Sequence, residues 1–154
     1  MRGTFYRQVM FSEFELAIHE AVERGEALTG SSMTQNYGEN QKRYHGHDAG
    51  VMEITDREMI EWAYIPHFYY NFYVYQYASS IAGAAYFVDR LNLGSDAARE
   101  TYIKFLEAGG SDYPLEILRA AGLDMTSRAP YDAVIDRMDA VMDQIEGILE
   151  NREG

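Results

Sequence analysis

The 154-residue chain has no cysteine, so neither a disulfide nor a thiolate metal site is open to it. Proline occurs only at 66, 114 and 130, and glycine gathers between segments, which leaves long stretches free to be helical. Basic residues are outnumbered: 13 Lys and Arg stand against 25 Asp and Glu, for a formal net charge of −12. That balance disfavours nucleic acid, since phosphate binding needs a surplus of Lys and Arg on some face. It equally disfavours an anionic membrane surface. No uninterrupted apolar run approaches the roughly 20 residues that span a bilayer. The opening MRGTFYRQVM lacks the apolar core of a signal peptide. Also missing are a Gly-x-Ser-x-Gly elbow and a phosphate-cradling glycine loop. The simplest expectation is a soluble cytoplasmic protein, with no nucleic-acid or membrane partner.

What is present is ordinary globular composition, 47 % apolar and 25 % charged, with 13 tyrosines as the unusual feature. A chain of this length buries about two-thirds of its unfolded surface, enough for one domain over residues 1–154. Phe11, Phe14, Ile18 and Val22 recur at helical spacing and predict a helix over about 4–24, closed by Gly25. A polar helix is expected from Ser32 to Tyr44, then a loop at HGHDAG, then a short helix capped by Asp56 and ending near Pro66. The longest helix is expected from Pro66 to Leu93. Further helices are expected over 96–108, from Pro114 to near Gly122, and from Pro130 onward with Val134, Met138, Val141, Ile145 and Leu149 in phase. No segment alternates with period two. The expected class is all-α, a single compact helical domain of six or seven helices.

Within His67–Tyr77, HFYYNFYVYQY, seven of eleven residues are aromatic. On a continuous helix His67, Tyr70, Tyr73 and Tyr77 fall within an arc of about 120°, with Phe68, Phe72 and Tyr75 opposite. An imidazole and three phenols on one face could donate hydrogen bonds to a bound peptide or to a developing oxyanion. Core packing is the competing reading, because tyrosine is content half-buried with its hydroxyl at the surface. The small residues Ala78, Ser79, Ser80, Ala82, Gly83, Ala84 and Ala85 suit close helix packing.

Metal signals are thin. His19-Glu20-Ala21-Val22-Glu23 starts like the zinc-binding H-E-x-x-H helix but ends in glutamate, which fits an exposed helix face better than a site. His45, His47 and Asp48 cluster on a glycine loop that is more simply read as surface. Glu58 and Glu61 are expected to be solvated. No metal ligand is assigned within this chain.

Three blocks, RGTFYRQVMFSEFE at 2–15, EWAYIPHFYYNFYVYQYASS at 61–80 and FLEAGGSDYPLEILRAAGLDMTS at 105–127, resemble the oligoendopeptidase F family in content and order. The resemblance runs from about residue 2 to residue 149. Members of that family are thimet-oligopeptidase-like zinc metallopeptidases, mostly α-helical, which hydrolyse oligopeptides in a deep channel. The resemblance implies a C-terminal catalytic-region portion, in which the zinc-binding helices of the intact family enzyme are absent. It assigns His67, Tyr70 and Tyr77 to oxyanion or substrate contacts, with Tyr73 and Tyr69 as substrate-binding residues. Tyr70 and Tyr77, seven apart, match two tyrosines of the thimet-type pattern; the position between them is Val74, for which Tyr73 is the expected substitute. The GGSDYP loop, with Gly109, Gly110 and Tyr113, also resembles the family and is expected to place the helix after it. HGHDAG departs from the family pattern. Alone, such a chain is expected to be inactive as a peptidase. The alternative is a helical assembly module, self-associating as a homo-oligomer or pairing with a separate zinc-bearing N-terminal half.

Overall fold

Phe11, Phe14 and Ile18 lie one helical turn apart, and the computed structural model, which describes residues 2–153, turns that stripe into a core. A π-helical turn over Arg2–Tyr6 leads into α1 (Arg7–Glu23). Gly25, at φ 79°, ends α1 with the bonds Arg24 N–H to Glu20 O (3.0 Å) and Gly25 N–H to Val22 O (2.9 Å). A left-handed residue there is what glycine adopts at little cost. α2 (Gly30–Tyr44) starts two residues earlier than expected, because Thr29 and Ser32 form a reciprocal capping box. α3 (Asp56–Met59) is capped by Thr55 rather than Asp56: Glu58 accepts from the Thr55 N–H at 2.9 Å. A 3-10 turn, Glu61–Tyr64, follows.

The largest departure lies after Pro66. In place of one helix from Pro66 to Leu93 there is a 3-10 turn over Pro66–Tyr70, a break at Asn71 and Phe72, and then α4 (Tyr75–Asn92). α5 (Asp96–Ala108), α6 (Pro114–Ala120) and α7 (Ala129–Glu153) match expectation, and α7, at 25 residues, is the longest helix. Among the described residues there are seven α-helices and no strand, so the all-α class holds. None of these helices is long and apolar enough to cross a membrane. Contacts gather into two compact units, Met1–Ala78 and Ser79–Gly154.

The first unit is built on Met10, Phe11, Phe14, Tyr37 and Val74, with Ile18, Trp62, Ile65 and Phe68 packed against them. In the second, Phe87, Ala121 and Leu123 pack with Tyr86, Tyr102, Phe105, Leu118 and Met125. The small-residue stretch does serve packing here. Ala82 is fully buried, and a Cβ on Gly83 would sit 3.4 Å from Leu123.

A polar network crosses the first core. Glu61 is not merely solvated: it pairs with Arg7 and accepts from the Tyr37 hydroxyl (2.6 Å) and from Gln41 Nε2 (2.9 Å). Burial, and after it the hydrogen bond to Glu61, push the Tyr37 phenol far above the usual tyrosine value. Tyr44, through burial first and Glu13 second, is pushed up to about 12. In the unfolded chain both phenols ionise near pH 10. Raised folded-state values mean that their contribution is fully present below pH 10 and lost as pH rises, Tyr44's through about pH 12 and Tyr37's beyond it. An alkaline titration followed by phenolate absorbance should therefore show Tyr37 and Tyr44 ionising late, coincident with unfolding. Ionisation of all 13 tyrosines together near pH 10 in folded protein would contradict this.

Candidate functional site

The aromatic stretch does not run as a helix, and the departure makes its side chains converge. In a continuous helix His67 and Tyr77 would lie ~15 Å apart along the axis. Here their ring centroids are 6.2 Å apart. His67 also stacks on Tyr73 at 5.9 Å and 17° and meets Tyr70 edge-on at 6.2 Å. Tyr73 lies 5.9 Å from Tyr70 and 5.4 Å from Tyr77, both T-shaped. Three phenols thus surround one imidazole. Such edge-to-face arrangements favour fixed ring orientations.

The cluster is accessible to solvent. Tyr70 is 63 % exposed, His67 and Tyr77 are half-buried, and Tyr73 sits at the boundary between the two classes. The Tyr77 hydroxyl makes a long 3.4 Å contact to the Tyr73 hydroxyl. That hydrogen bond, more than burial, holds the Tyr77 phenol above its usual value. A neutral phenol at this position can both donate and accept. Tyr69, grouped with these residues from the sequence, is 86 % exposed and takes part in none of the ring contacts of the cluster. Val74 is buried in the core while Tyr73 joins the cluster, so the aromatic side chain and not the valine stands among the phenols. On the other side, Phe68 packs edge-on against Phe11 (5.6 Å) and Phe14 (5.2 Å), anchoring the 3-10 turn that carries His67.

The break itself is unusual. Asn71 and Phe72 have φ of 51° and 57°. Asparagine tolerates that region, but for a phenylalanine it costs about 1–2 kcal/mol. Both residues are held from α1. Glu15, only 1 % exposed, accepts the Phe72 N–H at 2.6 Å. The His19 ring lies 4.4 Å from the Phe72 ring, its Nδ1 meets the Glu15 carbonyl at 2.7 Å, and its Nε2 meets Asn71 Oδ1 at 3.3 Å. Neither contact was foreseen from the sequence. The available signal was a carboxylate beside Phe14 on the apolar phase of α1, where a lone charge needs a partner.

The other histidines are occupied locally. His45 Nδ1 meets the Gln41 carbonyl at 2.9 Å, and His47 Nδ1 accepts from the Ile54 N–H at 3.0 Å. Among the described residues no group of three His, Asp or Glu side chains is placed to hold a metal ion.

The chain as a whole is similar to known proteins. Residues 1–137 match the profile described as Peptidase family M3. Oligoendopeptidase F, plasmid, from Lactococcus lactis subsp. cremoris is 46 % identical over 136 residues, 88 % of this chain and 22 % of that protein. Group B oligopeptidase PepB of Streptococcus agalactiae is 44 % identical over 134 residues, covering 86 % of this chain and 22 % of its own length. Oligopeptidase PepF of Bacillus subtilis is 44 % identical over 133 residues, 86 % of this chain and 19 % of that protein. The crystal structure of oligoendopeptidase-F from Enterococcus faecium superposes with a TM-score of 0.91 at 33 % identity, over 97 % of this chain and 28 % of that one. The chain spans about a fifth of the length of the curated relatives it matches.

Proposed function

Since the chain belongs to peptidase family M3, we propose that its His67–Tyr70–Tyr73–Tyr77 cluster is the substrate- and oxyanion-contacting wall of an oligopeptide-hydrolysing site. The observation that carries the proposal is the convergence of three phenols on one imidazole at an accessible surface. Each hydroxyl is a neutral donor, so a peptide carbonyl can be bound without introducing a charge. As that carbonyl becomes tetrahedral its oxygen gains negative charge, and hydrogen bonds from fixed donors strengthen in step. Tyr77, whose hydroxyl meets that of Tyr73, is suited to this role, and Tyr70 is the most open of the four. Tyr73 and His67 then align the peptide backbone. Exposed Tyr69 would reach only substrate that extends past the cluster.

The metal, zinc by the family resemblance, is assigned to residues outside this sequence, so the 154 residues alone are expected to bind peptide without cleaving it. Two measurements test this. Titration with a short unlabelled oligopeptide should move the NMR ring signals of His67, Tyr70, Tyr73 and Tyr77, and Tyr70→Phe with Tyr77→Phe should abolish the response. A response located elsewhere, or none, sinks the binding reading. Zinc-dependent cleavage of a fluorogenic oligopeptide by the pure chain would sink the assignment of the metal to other residues.

A second reading, assembly with a zinc-bearing half or with another copy, draws on Val141, Met142, Ile145, Ile148 and Leu149, each large, apolar and exposed on α7. Light scattering that shows a monomer at high concentration would remove self-association.

A further inference from the structure

The aromatic cluster depends on a backbone break that its own local sequence does not dictate. Residues 66–77 contain one proline at the start and no glycine, and aromatic and polar side chains of this kind are compatible with an uninterrupted helix. In that helix His67 and Tyr77 could not meet. Two consecutive left-handed residues, Asn71 and Phe72, fold the segment back and bring the rings to 6.2 Å. They also turn Val74 into the core and leave Tyr73 outside it.

What imposes the break comes from α1, 57 residues earlier. The Phe72 N–H would be left without a helical acceptor at the break, and the Glu15 carboxylate takes it at 2.6 Å from an almost fully buried position. A carboxylate accepting from a backbone N–H forms a stronger bond than a neutral acceptor would. His19 reinforces the same point: it covers the Phe72 ring and meets Asn71 Oδ1. Glu15 and His19 stand at i and i+4 on α1 and so share one face of it. We infer that Glu15 is a positioning residue for the site: its carboxylate fixes the left-handed Asn71–Phe72 turn and thereby gathers His67, Tyr70, Tyr73 and Tyr77 into one cluster. This rests on the proposed peptide-contacting role of that cluster.

The test compares Glu15→Leu with Glu15→Gln in the full chain by NMR, first without peptide. In Glu15→Leu the Phe72 amide proton should lose its hydrogen-bonded downfield shift, and the ring-current shifts among His67, Tyr70, Tyr73 and Tyr77 should collapse toward random-coil values. Glu15→Gln keeps a carbonyl acceptor and should restore the ring pattern, with the Phe72 amide exchanging about fivefold faster than in the parent. If Glu15→Leu does not fold, that exchange rate in Glu15→Gln decides alone. An unchanged Phe72 amide and unchanged ring shifts in Glu15→Leu overturn the inference, as does an unchanged Phe72 exchange rate in Glu15→Gln. Peptide is then added to each protein. Loss of the peptide response in Glu15→Leu, with recovery in Glu15→Gln, supports the positioning role. A parent whose cluster ignores peptide defeats the functional reading alone, because the peptide-free ring shifts have already decided the geometric one.

Discussion

Replacing Phe14 by alanine should lower the free energy of unfolding by about 3–5 kcal/mol, the usual cost of emptying an aromatic site in a close-packed core. Phe14 is 1 % exposed and stands among Tyr37 (5.2 Å), Phe68 (5.2 Å) and Trp62 (6.3 Å). Those neighbours come from α2 and from both 3-10 turns, so no single element can shift to refill the space. With a urea dependence of about 1–3 kcal/mol per molar, the midpoint should fall by roughly 1 M or more. Phe68 leads directly to His67, so the same substitution should also disturb the ring shifts of the aromatic cluster. Phe14→Leu, which keeps most of the volume, should lose less than half as much. A loss below about 1 kcal/mol for Phe14→Ala would mean that this core collapses freely around the gap, contrary to its geometry.

The second large effect is expected at Glu61. Its carboxylate is the common acceptor for Arg7, the buried Tyr37 hydroxyl and Gln41 Nε2. Arg7 and Glu61 are 40 % and 30 % exposed, so water screens the ion pair and its share is small. The cost of Glu61→Leu lies in the donors left behind. Tyr37 and Gln41 are buried, and their own contact, at 3.3 Å, is too long to replace the lost bonds. One stranded buried donor costs about 1–3 kcal/mol, which puts Glu61→Leu, with two, at about 2–6 kcal/mol in all. Glu61→Gln keeps one acceptor oxygen and should recover about half. Equal losses for the two variants, measured by chemical denaturation, would show that the charge and not the acceptor matters. In Glu61→Leu the Tyr37 phenol should still titrate late, because burial is the leading cause of its raised value.

Much of the helical layout was legible from spacing and punctuation. Phe11, Phe14 and Ile18 marked α1, Gly25 marked its end, and Pro114 and Gly122 framed α6. The boundary errors were side-chain effects: Thr29 and Thr55 capped where hydroxyl chemistry allows, displacing the expected starts. The grouping of His67 with Tyr70, Tyr73 and Tyr77 was legible too, yet for a reason that does not apply, since a shared helical face would have strung them along an axis. The break was not legible because its cause is tertiary. Within 66–77 only Asn71 hints at a left-handed residue. The partner that makes Phe72 follow, Glu15, is remote in sequence and looked like one more acidic residue among 25 Asp and Glu.

That remoteness orders events during folding. Helices such as α1 close within themselves, but the turn at Asn71–Phe72 needs a loop of 57 residues to be drawn shut before its amide finds an acceptor. Local contacts form first and distant ones follow once chain entropy has been overcome. The aromatic cluster is therefore expected to be among the last features of the first unit to acquire its shape. A chain that has not yet docked residues 66–74 on α1 has its helices but no organised aromatic wall, which makes assembly of the wall a report that the unit's long-range packing is complete.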